Sequence, residues 1–171
     1  MLNIFPGLYH DHDKRLCNVI GVSQSTEQGP PLVIFQEPRA YGVGRMPLRH
    51  VSLSEFVYDP QKRFTHTTTH PHGAHVIGID DPDVPGIFGH WKGNRYNVIG
   101  VAMTREDTEA VMVYQPLYGE HQFKLSHRPL AMFMDEVDRT EPIVYKGPRF
   151  RRIQAFSAPR IITRVTDLPI E

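Results

Sequence analysis

The chain has 171 residues, of which 40% are hydrophobic and 22% charged, and its formal net charge is zero. This balance is typical of a globular protein and gives no overall electrostatic reason to expect a nucleic acid or an anionic membrane as partner. No apolar run approaches the ~20 residues that span a bilayer, the N-terminus lacks the pattern of a signal peptide, and the single cysteine, Cys17, excludes an intrachain disulfide. We expect a cytoplasmic protein without a membrane segment.

The first half of the chain has the pattern of short strands. Proline and glycine, 15 and 13 residues, fall between short apolar runs, as in folds built from many strands joined by turns. We expect strands over residues 16–23, 32–36 and about 46–51. Ser52 with Glu55 three residues later has the spacing of a helix cap, which predicts a short helical turn over 52–56.

Residues 65–84 are interpreted as a linker, because this stretch is polar, rich in threonine and histidine, and poor in core-forming side chains. Imidazoles can hold zinc or nickel, so the four histidines of this region are a low-ranked metal candidate: His66, His70, His72 and His75. Their spacing matches no common structural zinc pattern and no cysteine lies nearby. A solvated linker is the preferred interpretation, and we predict neither metal nor cofactor.

The second half has the cleaner strand pattern. Residues 96–103 and 110–114 are apolar on both faces, which predicts strands covered on both sides, and a third strand is expected over 123–127. The apolar spacing within 129–137 fits one or two helical turns. The apolar pair at 161–162 is expected to close a sheet edge.

The two halves resemble each other. The segment 18–22 and the segment 97–101 share the sequence NVIGV, and further matches follow in the same order: Pro6-Gly7 with Pro85-Gly86, Glu27 with Glu106, Gln36 with Gln115, and Leu48, His50, Leu53 and Phe56 with Leu125, His127, Leu130 and Phe133. Such self-similarity predicts a tandem repeat. We expect a mostly all-β protein of two tandem SH3-like small β-barrels, each with a short helical turn: a degenerate copy over 1–64, the linker over 65–84, and a second copy with a basic extension over 85–171.

Three motifs of the second copy, at residues 85–98, 113–119 and 128–133, resemble the bacterial domain-of-unknown-function 1653 family. The later Pro148-Arg149-Phe150 resembles that family's terminal element. The resemblance implies an SH3-type barrel and carries no established activity. The first copy departs from the motifs, since residues 11–15 stand in place of 90–94 and residues 35–39 in place of 114–118.

The second copy also carries the main candidate site, a set of aromatic and basic side chains: His90, Trp91, Lys92, Tyr114, Tyr118 and Arg128. Aromatic walls with cationic donors suit a planar or anionic ligand, which would stack and accept paired hydrogen bonds. The alternative is that the aromatic residues belong to the core and that Lys92-Gly93-Asn94 is only a tight turn.

A basic tail is the second candidate site. Lys146, Arg149, Arg151 and Arg152 lie close to Phe150 and Phe156, and arginines beside aromatic rings can contact a phosphate backbone and stack bases. A solvated, charged tail is the simpler interpretation.

These patterns predict a non-catalytic recognition module that binds a small anionic or aromatic, nucleotide-like ligand, or a peptide, through the second barrel. One alternative is an enzyme acting on a small anionic substrate, with His90 as general base and Lys92 or Arg128 as electrostatic stabiliser. The other is a structural or assembly protein that binds a protein or, through the basic tail, a nucleic acid. The sequence contains no phosphate-binding glycine loop, nucleophile elbow or metalloprotease pair, which favours binding over catalysis.

Overall fold

The computed structural model describes residues 4–37, 47–58, 64–69, 84–104 and 107–168. The fold is mostly β, with 50% strand and 10% helix, so the predicted fold class is confirmed. The first half contains β1 (Gly7–His10), β2 (Leu16–Ser25), β3 (Leu32–Gln36), β4 (Leu48–Ser52), α1 (Leu53–Tyr58) and β5 (Thr65–Thr69). The second half contains β6 (Gly86–His90), β7 (Arg95–Met103), β8 (Ala110–Pro116), β9 (Ser126–Pro129), α2 (Leu130–Phe133), β10 (Glu136–Arg139), β11 (Tyr145–Pro148), β12 (Phe150–Ala155) and a 3-10 turn (Val165–Asp167).

Six of these strands close one β-barrel, to which each half contributes three. Within the halves, β2, β3 and β4 form one antiparallel meander, and β7, β8 and β9 form another. Two short parallel pairings join the meanders: β4 pairs with β7, and β2 pairs with β9. Following these pairings around the sheet returns to the first strand, so the barrel is closed.

This closure differs from the arrangement expected from the sequence, in which each half forms its own barrel. A three-stranded meander has two open edges, and unpaired edges expose backbone donors and acceptors. Here the edges of one meander are satisfied by the edges of the other. The division of the chain into two independently closed units is therefore not the arrangement that the strand pairing describes.

The interior of the barrel is apolar and draws on both halves. One buried cluster combines side chains of β2, β3 and β4 with side chains of β7 and β8: Ile20, Leu32, Ile34, Leu48, Ile99, Ala102, Val111 and Val113. Two further clusters lie outside the barrel, one in each half, beneath α1 and α2 respectively. Sharing the interior lets two small halves bury a larger core than either would alone.

Each half has an additional outer pair of strands. In the first half β1 pairs with both β2 and β5, and in the second half β6 pairs with both β7 and β12. Residues 65–69 were expected to belong to the linker, but they form a strand of the sheet. The remaining linker histidines, His70, His72 and His75, lie outside the described residues.

Several boundaries differ from the predicted ones. The third strand of the second half begins at Ser126 rather than at Phe123, because Phe123 has a positive φ of 64° and belongs to the preceding turn. The 161–162 pair is not in a strand, although the Ile162 N–H donates to Oε1 of Gln115 at 2.8 Å. The predicted cap of α1 is confirmed, since the Glu55 N–H donates to Oγ of Ser52 and the Ser52 N–H donates to Oε2 of Glu55.

The same local geometry occurs in both halves. A buried asparagine on the first meander strand donates to a glutamine on the second, Asn18 to Gln36 at 3.1 Å and Asn97 to Gln115 at 2.9 Å. The ladder of each meander shifts register three residues further on, at Gly21 and at Gly100. Each half also stacks a helical phenylalanine on a second ring, with centroids 4.1 Å apart in the first half and 4.2 Å apart in the second. None of the helices in the described ranges is long and apolar enough to cross a membrane.

Candidate functional site

A cavity of about 510 Å³ lies where the second meander meets the end of β2 from the first half. Its floor is aromatic and its walls are polar. The second half contributes residues of β7, β8, β9 and the turn after β8, and the first half contributes the segment 24–26. The lining residues are Gln24, Ser25, Thr26, Tyr96, Tyr114, Pro116, Tyr118, Gly119, Glu120, His121, Ser126 and Arg128.

Three tyrosines build the aromatic part of the cavity. Tyr96 lies between the other two, with its ring edge-on to Tyr114 at 5.4 Å and edge-on to Tyr118 at 5.5 Å between centroids. The hydroxyls of Tyr96 and Tyr118 are 2.7 Å apart and share a hydrogen bond. Tyr114 is fully buried, whereas 40% of Tyr118 is exposed. Tyr118 therefore offers an accessible ring on a rigid support, a geometry that suits stacking of a planar group.

Arg128 on β9 supplies the positive charge of the cavity. Its Nε donates to the Tyr114 hydroxyl at 3.2 Å, and its guanidinium lies 5.3 Å from the ring centroid of Phe150. A terminal nitrogen donates to the Thr26 hydroxyl at 3.2 Å and to the carboxylate of Glu27 at 3.3 Å. The guanidinium is thus held by contacts from both halves of the chain.

The other three predicted residues lie at the side of this cavity. The ring centroid of His90 lies 4.9 Å from that of Phe150 and 6.3 Å from that of Tyr96. His90 therefore contacts a lining residue, Tyr96, without lining the cavity itself. Trp91 stacks on Tyr145 at 5.8 Å, and the ammonium of Lys92 lies 5.2 Å from the Trp91 ring centroid. The structure therefore brings Tyr114, Tyr118 and Arg128 together, while Trp91 and Lys92 stand apart from the cavity lining.

Burial shifts the pKa of three groups in or beside the cavity, Tyr96, Tyr114 and His90, each toward the neutral form. Burial, followed by the hydrogen bond shared with Tyr118, raises the pKa of Tyr96, and burial likewise raises the pKa of Tyr114. Burial, together with the nearby cations Arg128, Arg149 and Lys92, lowers the pKa of His90 to about 4. The Lys92 N–H donates to Nδ1 of His90 at 3.3 Å, as expected for an unprotonated imidazole.

The first half has neither tyrosine nor arginine at the corresponding strand positions. Equal strand register places Cys17 where the second half has Tyr96, Phe35 where it has Tyr114, and Val51 where it has Arg128. These three side chains pack in or against the apolar cluster beneath α1. A cavity in this region, lined in part by Phe35 and Val51, has a volume of only about 150 Å³.

Two parts of the wall were not predicted from the sequence. Tyr96 was treated only as the start of a strand. The aligned sequences of the two halves do show a tyrosine at this position and Cys17 at the matching position of the first half. Thr26 lies between the predicted strands 16–23 and 32–36, and no sequence pattern indicates that this segment lies beside Arg128.

The predicted basic residues of the tail lie on β11 and β12, or between them in the case of Arg149, rather than in a free extension. Arg149 pairs with Asp135 at 2.8 Å, and Lys146 pairs with Asp138 at 3.5 Å. Arg151 and Arg152 lie on β12, where both are exposed. Nucleic-acid binding by this surface stays a prediction.

Potential metal ligands lie together only in the first half, as far as the described residues show. The ligand atoms of Asp11, Cys17 and Glu37 lie within 4.8 Å of one another, and those of Asp11, His12 and Asp13 form a second group. Oδ1 of Asp11 already accepts the N–H groups of Asp13 and Arg15 at 2.9 Å. His66 is hydrogen-bonded to the Thr69 hydroxyl at 3.0 Å.

Comparison with known proteins identifies a match in the second half. Residues 86–152 match the family model described as "Protein of unknown function (DUF1653)". Among solved structures, the crystal structure of a protein belonging to DUF1653 from Bordetella bronchiseptica is 31% identical, with a TM-score of 0.33. The alignment covers 47% of this chain and 91% of that chain. No curated protein matches the chain.

Proposed function

The chain belongs to the DUF1653 family through residues 86–152, and from the cavity that this segment lines we propose a non-catalytic recognition module for a small planar ligand with an anionic group. The ring of Tyr118 would stack on the planar part of the ligand. Arg128 and the hydroxyls of Thr26 and Tyr114 would bind its polar part.

One observation carries this proposal: the set of two tyrosines and an arginine at these strand positions occurs in one half only. The fold places Cys17, Phe35 and Val51 in the first half at the positions where the second half has Tyr96, Tyr114 and Arg128. The meander forms with either set of side chains, so the buried tyrosines and arginine are not required for the strand pairing. The Tyr114 hydroxyl and the Arg128 guanidinium are hydrogen-bonded to each other and to Thr26, which holds both in place at the cavity.

A small molecule suits the cavity better than a peptide. The site has a volume of about 510 Å³ and walls from both halves of the chain, which encloses a ligand on several sides. The nucleotide AMP has both required parts, a planar base and an anionic group, and adenosine is the matched compound without the charge. We use this pair as probes for the class.

The test measures AMP and adenosine binding by calorimetry and by NMR on the full chain. We expect AMP to bind, and we expect Tyr118→Ala to weaken AMP binding by about 5- to 100-fold because a base loses its stacking partner. Tyr58→Ala is the matched control, since Tyr58 is also an exposed tyrosine, at 73%, and lies on α1. Failure of both compounds to bind, or equal effects of the two substitutions, would refute the proposal.

The enzyme alternative has less support. His90 would be the general base, but its Nδ1 accepts a backbone N–H and its ring faces aromatic side chains. Among the described residues, no carboxylate is paired with it. A pKa of about 4 also makes this imidazole a weak proton acceptor at neutral pH.

We propose further that the two halves are copies of one ancestral unit, with the first copy degenerate. The matching hydrogen bonds of Asn18 and Asn97, the matching register shifts and the matching phenylalanine stacks support this history. The likeness of each unit to an SH3-type barrel stays a prediction.

A further inference from the structure

Glu27 belongs to the first half of the chain, yet its carboxylate lies beside the guanidinium of Arg128 in the second half. The contact is a single one, between Oε1 of Glu27 and a terminal nitrogen of Arg128 at 3.3 Å. The Glu27 side chain is 43% exposed, whereas the Arg128 side chain is 14% exposed. The arginine is therefore the fixed member of the pair and the carboxylate the peripheral one.

Arg128 does not depend on Glu27 for its position. Nε of Arg128 donates to the buried Tyr114 hydroxyl, a terminal nitrogen donates to Thr26, and the guanidinium lies over the ring of Phe150. The second terminal nitrogen, Nη1, has no hydrogen-bond partner within the part of the chain that the structure describes. A guanidinium binds a carboxylate or phosphate best through two parallel hydrogen bonds, and Glu27 uses only one.

We infer that Glu27 is an internal counter-ion, which the oxyanion of a ligand replaces on Arg128. This inference rests on the proposed function and defines its ligand class: a compact oxyanion, carboxylate or phosphate, joined to a planar body. When no ligand is bound, the Glu27 carboxylate pairs with the Arg128 guanidinium. An uncharged planar molecule cannot replace this carboxylate, so Arg128 adds nothing to its affinity. Glu27 thereby acts as a specificity-determining residue for charge.

The chain contains a matched ion pair that has no such role. Arg49 on β4 pairs with Asp107, so it also joins the two halves, and it donates to the Thr104 carbonyl at 2.9 Å. Neither Arg49 nor Asp107 lines the cavity of Tyr114. If the pair of Arg128 and Glu27 were only a clamp between the halves, removing either carboxylate would have the same consequences.

The experiment compares Glu27→Gln with Asp107→Asn in the full chain. Calorimetry and NMR measure binding of inorganic phosphate, acetate, AMP and adenosine to each variant and to the wild type. We expect Glu27→Gln to bind AMP, and at least one of the two oxyanions, about 2- to 5-fold more tightly than the wild type, which is the range of an exposed ion pair. The affinity for adenosine should not change. Comparing phosphate with acetate identifies which oxyanion the site prefers. Asp107→Asn should change none of these affinities.

Unchanged or weaker oxyanion binding in Glu27→Gln, as in Asp107→Asn, would overturn the counter-ion role and leave the proposed function intact if AMP still binds. Stronger phosphate or acetate binding in Glu27→Gln, combined with no binding of AMP or adenosine to any variant, would support the counter-ion role and refute the planar-ligand function.

Discussion

His50 and His127 occupy matching positions on β4 and β9, and both are buried next to the apolar interior. Each is hydrogen-bonded to a group of the other half: His127 Nδ1 to Ser23 Oγ at 2.9 Å, and His50 Nε2 to the Glu109 carbonyl at 3.2 Å. Burial lowers the pKa of both, and the pKa of His127 falls to about 4, with His50 as a second cause. These imidazoles are neutral structural groups that join the halves.

Acid should destabilise the protein through these histidines. The ordinary pKa of histidine is 6.5, so between pH 6.5 and about 4 the unfolded chain binds protons that folded His127 does not. The free energy of unfolding should therefore fall as the pH decreases through this window, by up to about 1.4 kcal/mol per pH unit for each such proton, and this group causes no further loss below pH 4. Urea unfolding at a series of pH values measures the slope.

His127→Asn separates this effect from general acid sensitivity. The variant should be less stable at pH 7.5 by about 1–3 kcal/mol, because Ser23 loses its buried partner, and its stability should vary less steeply between pH 6.5 and 4. Equal slopes for the variant and the wild type would show that His127 does not contribute.

The outer strands depend on backbone contacts that only glycine permits. A Cβ atom at Gly86 would lie 2.2 Å from the Gln154 carbonyl oxygen of β12, and a Cβ at Gly7 would lie 2.1 Å from the Thr68 carbonyl oxygen of β5. These two glycines hold matching positions in the two halves. The Pro-Gly match in the sequence thus corresponds to the place where β5 pairs closely with β1 and β12 pairs closely with β6.

Gly86→Ala should separate β12 from β6. Because the clash is with backbone, it cannot be relieved by a rotamer change, and we expect a loss of about 2 kcal/mol or more in unfolding free energy, with faster amide exchange along β12. Gly89→Ala is the matched control on the same strand. Its Cβ would lie 3.0 Å from a terminal carbon of Ile153, a flexible side chain, so a loss below about 1 kcal/mol is expected. Comparable losses would show that the close backbone contact of Gly86 with β12 is unimportant.

Local sequence patterns predict some elements well and others poorly, for physical reasons. The strand at 32–36 and the strands near 96–103 and 110–114 were predicted because their apolar runs are bounded by turns. The pattern could not reveal β5 and β12, whose side chains are almost all exposed, since such strands are defined by their partners. In the site, Tyr114, Tyr118 and Arg128 were predicted from their chemistry, whereas Thr26 enters only through a pairing between distant strands.

At the scale of the whole molecule, the parallel pairings of β2 with β9 and of β4 with β7 make the barrel a joint product of both halves. Local periodicity predicts strands but not which edges meet, so the sequence supported separate barrels as readily as a shared one. A shared interior implies that neither half keeps its core when the other unfolds.

Unfolding should therefore be a single transition. The chain has one tryptophan, Trp91, in the second half and one cysteine, fully buried Cys17, in the first, which provides a natural probe for each. We expect Trp91 fluorescence and Cys17 thiol reactivity to report the same urea midpoint, because the interior cluster combines both halves. Two midpoints separated beyond experimental error would indicate two independent units.

Residues 24–26 line the cavity but lie outside the segment 86–152, so the family match does not include the whole cavity lining. A homologue made of the matched segment alone would leave the Tyr114 side of its pocket open, unless a second subunit covered it. In this protein, residues 24–26 of the same chain cover that side of the pocket. A substitution at residues 24–26 can therefore change the cavity wall while the family segment remains unaltered.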